Sequence, residues 1–211
     1  MNSLITKPGV HVLILLGAIA SFVFFQFFYP YHLFYQEQNQ LFLFSWDYIT
    51  TYLDKPGWLA CLTGDFLTQF YYYRYAGPTI LTLSILMAGY NVRCGVEDTD
   101  IKGTWIPYTI AIAVMTMLVC FSFHYDYRLS SIIAIAGGAN VFRFSTKILV
   151  STRMYIKKLE NLEGRHTSID GTRLPQWITS VSIFISMLVC HWFFGCGMWI
   201  YAALVLLGCI K

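Results

Sequence analysis

Residues 177–210 read WITSVSIFISMLVCHWFFGCGMWIYAALVLLGCI, which is 34 residues with one histidine and no charge. As one helix this run would be about 51 Å long at about 1.5 Å per residue, too long for a single bilayer crossing. Gly195-Cys196-Gly197 is the natural break, giving two short spans. The same reading extends outward. The chain has 211 residues, 57% hydrophobic and only 12% charged, against about 25% charged in soluble domains. Mean hydropathy is +0.57. A soluble domain of this size lacks the interior to bury so much apolar side chain, so lipid is the expected solvent. The formal charge of +3 is too small to suggest a nucleic-acid partner.

Further spans follow toward the N-terminus. Val10–Phe28 is the first, closed by Tyr29-Pro30-Tyr31. It is a retained helix and not a signal peptide, because no clean cleavage site follows it. Leu67–Tyr90 is the second, opening on Tyr71, Tyr72, Tyr73 and Tyr75 as an aromatic belt and kinked at Gly77-Pro78. Trp105–Phe123 is the third. Leu129–Val150 is the fourth, with Ser130, Ala134, Gly137, Gly138 and Ser145 permitting close helix packing. Arg143 and Lys147 in its last turns can snorkel. The expected fold is one all-α polytopic transmembrane domain, residues 1–211, with five or six transmembrane helices.

Two polar segments interrupt the spans. In 31–65, Phe42, Trp46, Ile49 and Leu53 share a helical face and Gln40, Asp47, Thr51 and Asp54 another. This pattern predicts an amphipathic helix in the interface, ended by Pro56-Gly57, and a second helix from Trp58. The other segment, 151–176, carries Arg153, Lys157, Lys158, Arg165 and Arg173. With the N-terminus inside, the inner segments also hold Lys7, Arg93, Lys102 and Lys211, whereas the outer ones hold only Lys55, Arg74 and Arg128. The bias places the N-terminus in the cytoplasm, 151–176 as a cytoplasmic basic loop, and 31–65 outside. The abrupt end at Lys211 points to a truncated chain.

The outer side holds the candidate site residues. Glu37, among Tyr35-Gln36-Glu37-Gln38-Asn39-Gln40, is a carboxylate suited to a general base or to a divalent cation. Asp47 is its candidate partner. Asp65 either joins them or caps the second span. Arg74 is expected within that span, where it would pair with Asp65, contact a lipid phosphate or snorkel. The turn His124-Tyr125-Asp126-Tyr127-Arg128 offers His124, Asp126 and Arg128 as substrate contacts. Of the six cysteines none forms a CxxC pair, and a Cys61–Cys120 disulfide would need both on an oxidising side. Phosphate-binding glycine loops, HExxH and nucleophile-elbow motifs are absent from the sequence.

The stretch 29–81, YPYHLFYQEQNQLFLFSWDYITTYLDKPGWLACLTGDFLTQFYYYRYAGPTIL, and the turn HYDYRLS at 124–130 carry a resemblance. Across roughly residues 10–150 the chain resembles the N-terminal part of a family of uncharacterised bacterial multi-pass membrane proteins. The resemblance implies an inner-membrane location and further spans beyond this chain. The order of one span, a large outer loop with interfacial helices and an early acidic residue is distantly similar to GT-C-type membrane glycosyltransferases. That likeness implies a transferase acting on a polyprenyl-phosphate-linked substrate at the outer leaflet. Glu37 would be base or metal ligand, Asp47 its partner and Arg74 the lipid-phosphate contact. A non-enzymatic membrane subunit packed on a partner membrane protein is the other expectation. A transporter is disfavoured, because the spans lack paired buried acids.

Overall fold

The computed structural model describes residues 6–40, 42–99, 103, 105–162 and 176–209. Among them there are helices and turns and no strand. α1 (Thr6–Val23) runs into a π-helical turn at Phe24–Phe28. The chain then bends by 78° into α2 (Pro30–Asn39). Pro30 does not merely close the first span. It opens α2, since proline at the first helical position gives up an N–H that would have no partner there.

α3 is Trp46–Leu53. It starts four residues later than the apolar pattern predicts, because Ser45 caps it, its hydroxyl accepting from Tyr48 N at 3.2 Å. α4 (Trp58–Thr68) follows the Pro56-Gly57 turn as expected. A 3-10 turn at Gln69–Tyr72 leads to α5 (Ala76–Glu97), so Gly77-Pro78 begins this helix and does not kink it. α6 is Ile106–Phe121. α7 (Leu129–Leu162) runs a full twelve residues past the expected end of its span. α8 (Gln176–Phe194) and α9 (Gly197–Cys209) divide at the expected glycines. Much of the expected 151–176 basic loop, with Arg165 and Arg173, lies outside the described residues, as do Lys102 and Lys211.

α5 and the Leu129–Thr152 part of α7 are long and apolar enough to cross a membrane. Counting the bent pair formed by α1 and α2 as one span makes three such candidates. Ile106–Phe121, Ile178–Phe194 and Gly197–Cys209 are apolar but shorter. α7 is the hub, touching α4, α5, α8 and α9. One apolar cluster gathers Phe25, Leu33, Tyr71, Leu81, Ile85, Leu118, Leu129 and Ile132. A second, further along α5 and α7, gathers Val92, Val96, Ala139, Phe142, Cys190, Tyr201 and Leu204. Beyond it the chain closes with charges: Arg93 bonds Glu97 at 2.8 Å and covers the Tyr108 ring, and Arg143 bonds Asp98 at 3.2 Å. Arg143 therefore has a protein partner in Asp98.

The small residues of α7 do what their spacing predicts. A Cβ on Gly64 of α4 would sit 2.7 Å from the Ser130 backbone, and one on Gly138 would sit 2.1 Å from the Gly197 carbonyl oxygen. Two glycine turns meet at the start of α4. Gly57 (φ +80°) and Gly195 (φ +52°) both take the left-handed conformation that favours glycine. A Cβ on Gly57 would lie 3.1 Å from Gly195 Cα. Gly57 N–H donates to the Trp192 carbonyl at 2.8 Å, so the first donor of α4 satisfies an acceptor at the end of α8. α4 then runs antiparallel to α7, because Gly57 sits by the Gly195 turn near Gly138 while Gly64 sits at Ser130.

Candidate functional site

α2, α3, α4 and the start of α7 enclose a polar cavity of about 340 Å³, within the usual range of about 300–1,000 Å³ for ligand sites. Asn39 and Gln40 line it from the end of α2, Tyr48, Thr51 and Tyr52 from α3, and Lys55 from the turn. Trp58, Cys61 and Asp65 line it from α4, and Arg128 from the residue before α7. The helical spacing of α4 explains the last set: 58, 61 and 65 lie on one face, while Gly64 and Ala60 turn inward.

Asp65 is the centre of this wall. It neither caps the second span nor pairs with Arg74; it lies inside α4, only 8% exposed. A carboxylate so buried needs hydrogen bonds. Tyr52 Oη donates to Asp65 Oδ2 at 2.7 Å, and Tyr48 and Tyr52 hydroxyls lie 2.8 Å apart. Burial, then the Tyr48 and Asp65 contacts, push the Tyr52 hydroxyl well above its ordinary pKa, so it stays a donor. Cys61 stands among Asp65, Arg128 and Lys55, and burial raises its thiol pKa, with Asp65 adding to the rise. Neither Lys55 nor Arg128 forms an ion pair with a described residue. Buried Gln40 Oε1 and Trp58 Nε1, on lining residues, have no hydrogen-bond partner among the described residues. The cavity thus offers two solvent-exposed cations without ion-pair partners among the described residues, beside one held carboxylate, a set that fits an anion carrying a hydroxyl.

Of the residues singled out in the sequence, the fold brings Asp65 and Arg128 together. Glu37, Asp47, Arg74, His124 and Asp126 do not line the cavity. Glu37 is half-buried on α2, and Asp47 is exposed in the first turn of α3. Arg74 lies in the turn before α5, outside the helix where it was expected, its guanidinium 5.8 Å from the exposed Tyr75 ring. No group of three or more His, Cys, Asp or Glu side chains suited to a metal ion forms among the described residues. All six cysteines, Cys61 and Cys120 included, are free.

The cavity also depends on residues that sequence reasoning passed over. Gln36, buried on α2, donates from its amide nitrogen to the Tyr127 carbonyl at 2.9 Å and lies 3.2 Å from His32 Nε2. This latch ties α2 to the turn that presents Arg128. His32 is 1% exposed, with the rings of Tyr29 and Tyr125 at 5.0 and 4.7 Å. The i, i+4 spacing of His32 with Gln36, and of Tyr48 with Tyr52, is the signal that would have found them.

Burial lowers the His32 pKa below its ordinary 6.5, a backbone contact at Ser122 opposing. The unfolded chain therefore takes up this proton at a higher pH than the folded one. Stability from the neutral imidazole is complete above about pH 6.5 and falls as the pH drops below it. Thermal unfolding of the wild type should show this loss between about pH 7 and pH 5. His32→Asn should flatten that slope, and an unchanged slope would remove His32 as its source.

Two apolar grooves complete the surface. One of about 200 Å³ lies between α1, α5 and α6, and one of about 410 Å³ between α7 and α8. No curated protein and no solved structure matches the chain. The model of one family, described as a family of unknown function (DUF6057), matches residues 5–211, and the chain belongs to that family.

Proposed function

We propose that this chain is a multi-pass helical protein of a bacterial inner membrane, with five or six crossings, the N-terminus cytoplasmic and the cavity on the outer side. The break at Gly195, the apolar shorter helices and the Lys/Arg bias support that reading. The cavity binds the phosphate of a lipid-linked substrate in a glycosyltransferase-like reaction. The observation carrying this is the meeting of buried Asp65 with Lys55 and Arg128, cations without protein partners among the described residues, in one polar cavity. Asp65, oriented by Tyr52, takes the proton of an acceptor hydroxyl as its oxygen attacks the sugar's anomeric carbon. The bond from that carbon to the lipid phosphate breaks, and Lys55 and Arg128 hold the charge of the departing phosphate. Asp65 takes the role of base expected of Glu37 with Asp47 as its partner, and Arg128 takes the phosphate contact expected of Arg74.

Thermal stability of the detergent-purified protein tests this, against polyprenyl phosphates with and without Mg²⁺ or Mn²⁺. A ligand at one hundred times its Kd stabilises by about 2.7 kcal/mol. Arg128→Ala and Lys55→Ala should each lose most of that shift and keep the ligand-free melting temperature. No shift with any ligand, from folded protein, would favour the second reading, a non-enzymatic subunit. Its support is the pair of open apolar grooves, which suit helices of a partner membrane protein.

A further inference from the structure

An unusual run of rings begins where the polar wall of the cavity ends. Tyr48 belongs to the cavity, and its ring lies 5.6 Å from that of Phe42. Phe42 meets Phe44 at 5.1 Å and Phe66 at 5.7 Å, and Phe66 meets Phe70 at 5.4 Å. Each contact is edge-on, so the rings stand as ridges and do not close into a core. Phe44 is 81% exposed, and Phe66 and Phe70 are partly so, at 36% and 38%. What sets this apolar surface apart from the others is its continuity with the polar cavity through Tyr48.

We propose that this aromatic row is the seat of the substrate's apolar chain, an inference that rests on the phosphate reading given above. The connection to the cavity is what selects this occupant. Tyr48 bonds its hydroxyl to Tyr52, one step from Asp65, while its ring edge touches Phe42. A molecule with its phosphate between Lys55 and Arg128 and a long apolar chain behind can lay the first part of that chain over Phe42, Phe44 and Phe66. The apolar grooves between α1, α5 and α6 and between α7 and α8 have no polar wall of this kind leading to the carboxylate.

The test uses the full chain in nanodiscs and a polyprenyl phosphate analogue with a diazirine on the carbons next to the phosphate. Adducts are mapped by mass spectrometry, with unlabelled polyprenyl phosphate as competitor and Arg128→Ala as the head-group control. Adducts confined to 42–48 and 66–70, abolished by competitor and by Arg128→Ala, are the expected result. Phe44→Ser, at an exposed position that leaves folding intact, should lower their yield. Competed, Arg128-dependent adducts in the α7–α8 groove or along α1 would overturn the aromatic seat and leave the phosphate site standing. Adducts that neither competitor nor Arg128→Ala reduces would be bulk-lipid contacts, and would remove both the seat and the phosphate site.

Discussion

Gly197→Val is expected to cost the fold about 3 kcal/mol, read as a large fall in thermal unfolding temperature in detergent. A Cβ on Gly197 would lie 2.1 Å from the Ala134 carbonyl oxygen and 2.9 Å from its carbon. A Cβ on the opposing Gly138 would likewise lie 2.1 Å from the Gly197 oxygen. Both obstacles are backbone, so no rotamer change relieves them, and α7 and α9 must separate. Separation uncovers Tyr201 and Leu204, buried against Val92, Val96 and Phe142. Gly89 makes the contrast. A Cβ there would meet Met115 Cε, Cγ and Sδ, atoms of one adaptable side chain and not of backbone, so Gly89→Ala should cost less than Gly197→Val. Gly17→Ala, with nothing within 4 Å, should be neutral or slightly stabilising through helix propensity. Equal melting temperatures for Gly197→Val and Gly17→Ala would show that α9 does not pack on α7 as described.

Gln36→Leu should have the second large effect, and it should reach the ligand. Leucine fits the apolar part of the site but donates nothing. The Tyr127 carbonyl and His32 Nε2 then lose the amide that both face. Orphaned buried polar groups cost about 1–3 kcal/mol each, so a loss of about 2–6 kcal/mol follows. The turn at 124–128 loses its hydrogen-bonded tie to α2 and keeps only the ring contacts of Tyr125, so Arg128, which ends that turn, is held less firmly on the cavity wall. Affinity for a polyprenyl phosphate should fall along with stability. Gln38→Leu, at an exposed neighbouring position, should change neither. A Gln36→Leu protein that melts like the wild type would show that the latch carries no weight.

The elements were legible where composition and punctuation act locally. The glycine break in 177–210, the Pro56-Gly57 turn, the helix from Trp58 and the small-residue face of α7 all follow from short stretches of sequence. Capping shifted what periodicity alone placed: Ser45 delays α3, and Pro30 starts a helix where it was expected to stop one. The site was half legible. Asp65 and Arg128 stood out as charges, but their meeting depends on how α4 lies against α7, which no local pattern encodes. Glu37 and Asp47, ten residues apart, would share a side only on one continuous helix of nearly three turns. The chain breaks between them at residues 42–45, and that alignment disappears. Lys55 looked like a plain loop cation until the turn carrying it was seen to close the cavity.

The bond from Gly57 N–H to the Trp192 carbonyl has a consequence for how the molecule is made. Its two halves leave the ribosome far apart in time. When α3 and α4 emerge, the support beneath them has not been synthesised, and Asp65 has only Tyr52 for company. Closure of the start of α4 onto the end of α8 is therefore a late assembly step, waiting on the last quarter of the chain. Non-local closures of this kind are slow and leave partly built species exposed. A nascent chain stalled before α8 should keep its 46–68 segment open to protease, and one stalled after it should not.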